Sequence, residues 1–208
     1  MLRLWPFRLL RQQGSLPTTH LPASPPVVLA LGFLSLIALG TVLLKMPFAT
    51  RSPISWFEAF FTATSSVTVT GLTVIEPATV LSIPGQILVT ILVQIGGLGF
   101  VTFAVLAAIT LGKRISLQQQ ALALEAFNQT SVSRIRQTAF SVIKIAFTIQ
   151  GVTMLWLSLW WGRHMDFKDA IYQAYFHVTM AFNNAGMALY EDSLIGLTHD
   201  PISILTLS

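Results

Sequence analysis

The chain has 208 residues, of which 53% are hydrophobic and only 10% charged, with a mean hydropathy of +0.70 and a formal net charge of +4. A soluble domain carries about 25% charged residues, so this composition excludes a water-covered globular surface and indicates an integral membrane protein. The absence of cysteine excludes a disulfide framework, thiol chemistry and Cys-based metal sites.

In chain order, residues 1–26 form a basic arm with Arg3, Arg8 and Arg11 and no acid. They do not read as a cleavable signal, because the apolar run behind them is long and no small-residue cleavage site follows it. Pro25-Pro26 opens the first apolar segment, Val27 to about Leu44, where a missing N–H costs least. Pro47 and Pro53 then break the chain. A short apolar stretch, 57–72, follows. Pro84-Gly85 starts a second uncharged run, about Gly85 to Leu111. Gly96, Gly97 and Gly99 lie inside it and read as sites of close helix approach; a gating hinge is the alternative. The linker 113–137 is polar, with Leu117, Ala121, Leu124 and Phe127 at helical spacing. It reads either as an amphipathic segment on the inner membrane face or as a docking surface for a cytoplasmic partner. A third apolar segment runs from about Phe140 to Trp161, with Lys144 expected to snorkel to the interface and Trp156, Trp160 and Trp161 crowding its end. Each of these three segments approaches or exceeds the roughly 20 apolar residues that cross a bilayer.

Two shorter stretches, 57–72 and 172–187, form a repeat. Sliding the first by 115 positions superimposes Ala59 on Ala174, Phe61 on Phe176, Thr64 on Thr179 and Gly71 on Gly186. Each copy follows a long apolar segment, is too short to span, and ends in a glycine after small or polar residues. A short helix that enters a membrane and leaves through a glycine-bearing loop is how a cation pore is lined. A lone glycine after a helix is ordinarily a C-cap; two copies at a fixed offset favour the pore reading.

Charge predicts the orientation. The arm, the linker and Lys144 carry eight of the 12 basic residues and one of the eight acids. The positive-inside rule then places the N-terminus and the linker in the cytoplasm and both loops outside. Because the basic residues are accounted for by topology, no nucleic-acid partner is expected. The expected organisation is an arm at 1–26, a helix–pore loop–helix unit at 27–112, a linker at 113–137, and a second unit at 138–208. The 115-residue offset maps 85–111 to 200–226, so the closing helix of the second unit is expected to lie almost wholly beyond Ser208.

The run Thr64 to Val74 closely resembles the first filter loop of the Trk/Ktr/HKT superfamily of potassium transporters. Ala181-Phe182-Asn183-Asn184-Ala185-Gly186, followed by Asp192-Ser193-Leu194, resembles the second filter loop, and Gln94-Ile95-Gly96-Gly97-Leu98-Gly99-Phe100 is similar to the family's second membrane helix. The likeness is to the membrane subunit of bacterial Ktr-type uptake systems in particular. It implies an all-α integral membrane protein whose repeated helix–pore loop–helix units number four per chain, of which about one and a half are present here. With units three and four go an expected intramembrane gating loop and a basic residue. The resemblance implies uptake of K⁺ across the plasma membrane, the inner membrane of the cell, with Na⁺ permitted as coupling ion and no bound cofactor. It assigns the K⁺ selectivity filter to Val69, Thr70, Gly71, Leu72, Asn184, Ala185 and Gly186. The implied partners are a cytoplasmic nucleotide-binding regulatory subunit and a second copy of the full-length subunit in a homodimer.

The chemistry suits that role. Backbone carbonyls replace the water of K⁺ without adding fixed charge. Gly71 and Gly186 can take positive φ, the C-terminal ends of the short helices point partial negative charge at a cation, and Thr68 and Thr70 can brace the loop. Asn183 and Asn184 either end the helix in left-handed geometry or contribute to ion binding. His177 reads as pore-helix packing and Glu58 as an interfacial carboxylate or an external cation attractor. Two further functional readings compete: an inactive truncated remnant, and fragments that assemble until four loops meet. A membrane enzyme is not expected, since His164, His177, His199, Asp166 and Asp192 show no ligand spacing.

Overall fold

The computed structural model describes residues 25–99, 132–190 and 200–208. Within them the chain forms seven helices: α1 (Pro25–Lys45), α2 (Trp56–Val67), α3 (Pro77–Val80), α4 (Ile83–Gly97), α5 (Val132–Trp161), α6 (Phe167–Phe182) and α7 (Pro201–Leu207). Among the described residues there is no strand; the only extended pairing is an antiparallel bridge between Thr50 and Leu81. The expectation of an all-helical fold therefore holds. The linker expected at 113–137 lies outside the described residues up to position 131, as do the arm up to position 24, Asp192-Ser193-Leu194 and His199.

Among the described residues one segment, Gln137–Trp161 of α5, is by itself long and apolar enough to cross a membrane, and Ala30–Lys45 and Ile83–Gly97 are shorter apolar stretches. α1 and α5 match the first and third expected spans. The second differs: α4 ends at Gly97, with Leu98 as its C-cap and Gly99 at φ 84, rather than running on as one helix to 111. The positive φ at Gly99 turns the chain out of helical geometry; positions 100–111 lie outside the described residues.

The elements pack as two similar pairs. α1 lies along α2, and α5 lies along α6; α4 then contacts α1, α2 and α6 and joins the pairs. Small residues make the approach close, as membrane helices require. A Cβ on Gly40 of α1 would sit 2.8 Å from Leu92 of α4 and 3.3 Å from Ala63 of α2. Ala59 and Ala63 of α2 are fully buried, as are Ala170 and Ala174 of α6. The central core gathers Leu44, Ala63, Val89, Val93, Phe176 and Met180 from α1, α2, α4 and α6. The outer faces stay apolar: Leu31, Leu34, Val152, Leu155 and Leu159 are all exposed, a surface that water would not tolerate and lipid would.

Short helices α2 and α6 are placed by their caps. Ser55 Oγ accepts the Glu58 N–H at 3.1 Å while Glu58 Oε2 accepts the Ser55 N–H at 2.6 Å, a reciprocal capping box. Asp166 caps α6 through a longer bond from the Lys168 N–H at 3.4 Å. At 12 and 16 residues, α2 and α6 extend only about 18 and 24 Å, short of a hydrocarbon core of about 30 Å.

Candidate functional site

The chain leaves α2 and α6 in the same way. Thr68 N–H bonds Thr64 O at 2.9 Å, Val69 N–H bonds Ser66 O at 3.3 Å, and Thr70 N–H bonds Ser65 O at 2.9 Å. The second exit repeats this 115 residues later: Asn183 N–H to Thr179 O at 3.3 Å, Asn184 N–H to Ala181 O at 2.9 Å, and Ala185 N–H to Met180 O at 2.8 Å. Even the hydroxyl back-bonds correspond, with Thr64 Oγ1 on Phe60 O at 2.7 Å and Thr179 Oγ1 on Tyr175 O at 2.8 Å. Because the bonding repeats, so do the dihedrals. Val69 and Asn184 are at φ 54 and 56, Gly71 and Gly186 at φ 82 and 65, and Thr70 and Ala185 between them keep the ordinary negative sign. Val69 and Asn184 are the only non-glycine residues with positive φ among those described.

The two loops meet. A Cβ on Gly71 would lie 2.3 Å from the Ala185 carbonyl oxygen and 3.5 Å from the Gly186 Cα, and a Cβ on Gly186 would lie 3.9 Å from the Gly71 Cα. Of the seven residues singled out from sequence, Gly71, Ala185 and Gly186 are thus brought together. Ala185 is fully buried, Val69 and Gly71 half-buried, and Thr70, Leu72, Asn184 and Gly186 exposed, Leu72 at 60%.

Neighbouring side chains hold the loops differently. Thr68 Oγ1 donates to Thr64 O at 2.8 Å and shares a 2.7 Å bond with Thr70 Oγ1, a brace made within the first loop. Asn183, at φ −90, is not left-handed; that geometry falls to Asn184 alone. The buried Asn183 side chain reaches α4 instead, with Nδ2 on Gln94 Oε1 at 3.0 Å and on Thr179 O at 2.8 Å. α4 also touches the first exit: a Cβ on Gly96 would sit 2.0 Å from Val67 O, and one on Gly97 would sit 2.1 Å from Asn183 Oδ1. Gly96 and Gly97 therefore serve close approach.

His177 is a structural group. Its Nδ1–H donates to Gln173 O at 2.8 Å, leaving Nε2 to accept the Leu189 N–H at 3.3 Å. The ring stacks on Tyr190 at 4.9 Å and meets Trp161 edge-on. It ties the chain beyond Gly186 back to α6. Glu58 is occupied by its capping box; hydrogen bonds from the Ser55 backbone and side chain, with Lys45 nearby, hold its carboxyl below the usual glutamate range. Lys144 is exposed on α5. Among the described residues no group of three or more His, Asp or Glu converges as a metal site would.

Sequence reasoning missed the contacts from α4. Gln86, Thr90 and Gln94 are four residues apart on an otherwise apolar helix, and all three are buried. Polar groups at that spacing share one face and in an apolar setting need partners, which is the signal that would have found them.

The profile of the TrkH family, described as cation transport protein, matches residues 26–207. The chain is 40% identical over 178 residues to the Ktr system potassium uptake protein B of Bacillus subtilis (strain 168), covering 86% of this chain and 40% of that protein. It is 37% identical over 183 residues to the protein of the same name from Vibrio alginolyticus, covering 88% of this chain and 40% of the relative. It is 36% identical over 174 residues to the potassium/sodium uptake protein NtpJ of Enterococcus hirae, covering 83% of this chain and 39% of the relative. The chain thus spans about two-fifths of the length of the relatives it matches.

Proposed function

The chain belongs to the TrkH family of cation transport proteins, as a Ktr-type membrane subunit, and from that premise we propose that it contributes two of the loops lining a K⁺ uptake pore in the plasma membrane. The observation that carries the reading is the alternation of φ through 69–71 and again through 184–186. In an extended chain successive carbonyls point to opposite sides; reversing the sign of φ at every second residue turns them toward one side. Two loops of that form, in contact at Gly71 and Gly186, offer carbonyl oxygens to a dehydrated cation without adding charge. Val69, Thr70, Gly71, Leu72, Asn184, Ala185 and Gly186 are the residues we assign to the site.

The finer organisation belongs to the same proposal. Each loop is the centre of a helix–pore loop–helix unit, with the linker at 113–137 and the arm in the cytoplasm and the loops facing outside. Four loops complete the pore, K⁺ enters, and Na⁺ is the candidate coupling ion. A cytoplasmic nucleotide-binding regulatory subunit and a second full-length copy are the partners this reading calls for.

The reading is tested by growth of a K⁺-uptake-deficient bacterium in low K⁺, expressing residues 1–208 alone and, in parallel, the chain read through any downstream coding sequence. Rescue by the longer chain only is the expected result, and it makes the 208-residue product inactive by itself. Rescue by 1–208 would mean that fragments assemble a pore. Failure of both would sink the transport reading.

A further inference from the structure

Resting on that reading, we propose that Gln94 is a positioning residue that sets the K⁺ over Na⁺ preference of the pore through its hydrogen bond with Asn183. Three polar contacts run in a line between α4 and α6. Gln86 accepts the Tyr172 hydroxyl, Thr90 Oγ1 shares a 2.9 Å bond with Tyr175 OH, and Gln94 Oε1 accepts from Asn183 Nδ2 at 3.0 Å. The first two residues have other work. Gln86 donates to Pro77 O and Leu81 O at 3.0 and 3.3 Å, holding the chain that enters α4, and Thr90 back-bonds to Ile87 O at 2.7 Å. Only the third contact reaches the loops.

Its place is the point. Asn183 is the C-cap of α6, directly before Asn184, Ala185 and Gly186. Ala185 presents its carbonyl to Gly71, so a displacement of Asn183 alters the gap between the two loops. Two residues beyond Gln94, Gly96 bears on Val67 O, the end of α2. The last turn of α4 therefore touches both helix ends from which the loops spring and bridges them. Packing alone does not hold Gln94 there. A cavity of about 260 Å³ opens beside it, lined by Thr90, Ile91, Phe147, Gln150, Tyr175 and Thr179 among others. The amide can swing into that space when its partner is lost, and the directional bond to Asn183 is what opposes this. Among the described residues the first loop has no counterpart: position 68, equivalent to 183, is an exposed threonine bonded to Thr64 O and Thr70 Oγ1.

The experiment uses the read-through chain in the uptake-deficient host, with K⁺ uptake measured against rising external Na⁺ and normalised to protein in the membrane. Gln94→Met keeps the length and removes the acceptor; it is expected to reduce the K⁺ over Na⁺ preference about threefold to tenfold, the factor an interhelical hydrogen bond in a membrane is worth. Tyr172→Phe and Thr90→Val remove the other two contacts and are expected to lower thermal stability while leaving the preference unchanged. Gln94→Met combined with Asn183→Leu is expected to shift the preference no further than Asn183→Leu alone, because one residue acts through the other. Should Gln94→Met fail to accumulate, Gln94→Asn, which withdraws the amide by one methylene, decides in its place. An unchanged preference in the Gln94 variant, an equal shift in Thr90→Val and Tyr172→Phe, or additive effects in the double variant overturns the proposal while the transport reading stands. An unsubstituted chain that takes up no K⁺ overturns both.

Discussion

Val69 is a β-branched residue held at φ 54, where its Cβ crowds the following carbonyl at a cost of about 1–2 kcal/mol. Such a conformation persists only where surrounding bonds over-determine it, and here the Val69 and Thr70 amides are both tied back to α2. Asn184 occupies the equivalent place with a side chain that tolerates the geometry. Val69→Asn should therefore raise the melting temperature of the detergent-solubilised chain, by roughly 1 kcal/mol of relieved strain; a lowered melting temperature would refute this. The glycines predict an asymmetry. Both need positive φ, but a Cβ at 71 also strikes the Ala185 carbonyl at 2.3 Å, whereas one at 186 finds only ordinary contact at 3.9 Å. Gly71→Ala should cost clearly more stability than Gly186→Ala, whose penalty is limited to the roughly 1–2 kcal/mol of backbone strain. The glycines were legible in the sequence because no other residue takes that conformation freely. Val69 is assigned to the filter by resemblance, but its left-handed backbone was not legible, since a valine in an apolar run announces a strand or a core.

Between helices, the same substitution has opposite consequences at different glycines. A Cβ on Gly96 would lie 2.0 Å from Val67 O, while one on Gly151 of α5 meets nothing within 4 Å. Gly96→Ala should push α4 off α2 and cost about 1–3 kcal/mol; Gly151→Ala should be neutral or stabilise α5 by up to about 1 kcal/mol. Thermal unfolding of the two variants side by side checks the pair. The composition of the run 96–99 marks close packing, and Gly96 and Gly97 serve it. The exit from the helix at Gly99 was hidden, because an uncharged run to Leu111 carries no stop signal stronger than the glycine itself. The capping box of α2 carries a sequence signal, a serine three residues before a glutamate, which the reading of Glu58 as an interfacial carboxylate or cation attractor passes over. α7 offers a further test. Trp160 Nε1 donates to Asp200 Oδ2 at 2.9 Å and Trp161 Nε1 to Ser203 Oγ at 2.7 Å, latching α7 to the end of α5. Burial pushes the Asp200 carboxyl up, but the Ser203 hydroxyl, the Trp160 indole and two backbone donors outweigh it and hold it below the usual range. A depressed carboxyl contributes stability that is complete above its unfolded value and lost as pH falls through the folded one. The protection of 201–207, measured relative to intrinsic amide exchange at each pH, should therefore fall on acidification below about pH 4, and Asp200→Ala should reproduce that loss of protection at neutral pH.

Over the whole molecule, the exposed leucines, isoleucines and tryptophans of α1, α4 and α5 call for a lipid surround, and the proposed topology puts the basic arm and linker on the cytoplasmic side. The absence of cysteine makes the orientation directly measurable. Leu72→Cys, on an exposed loop position, should react with a membrane-impermeant maleimide on intact cells, and Lys113→Cys only after permeabilisation; the reverse pattern would invert the topology. The repeat of two loops was legible because recurring glycines, threonines and aromatics survive as a linear pattern. How the two loops are set against each other was not, because that depends on contacts from α4, which lies between them in sequence and whose polar partners leave no linear pattern.

The bond from Asn183 to Gln94 joins positions 89 residues apart, and this separation has a meaning in time. At a synthesis rate of about 5–20 residues per second, roughly 5–20 seconds pass between the making of Gln94 and the making of its partner. Throughout that interval the first loop is complete, braced by its own threonines, while the acceptor on α4 waits. The earlier half of the chain is thus a finished mould against which the later loop is cast, and an error in seating α4 during insertion would be inherited by a loop not yet synthesised.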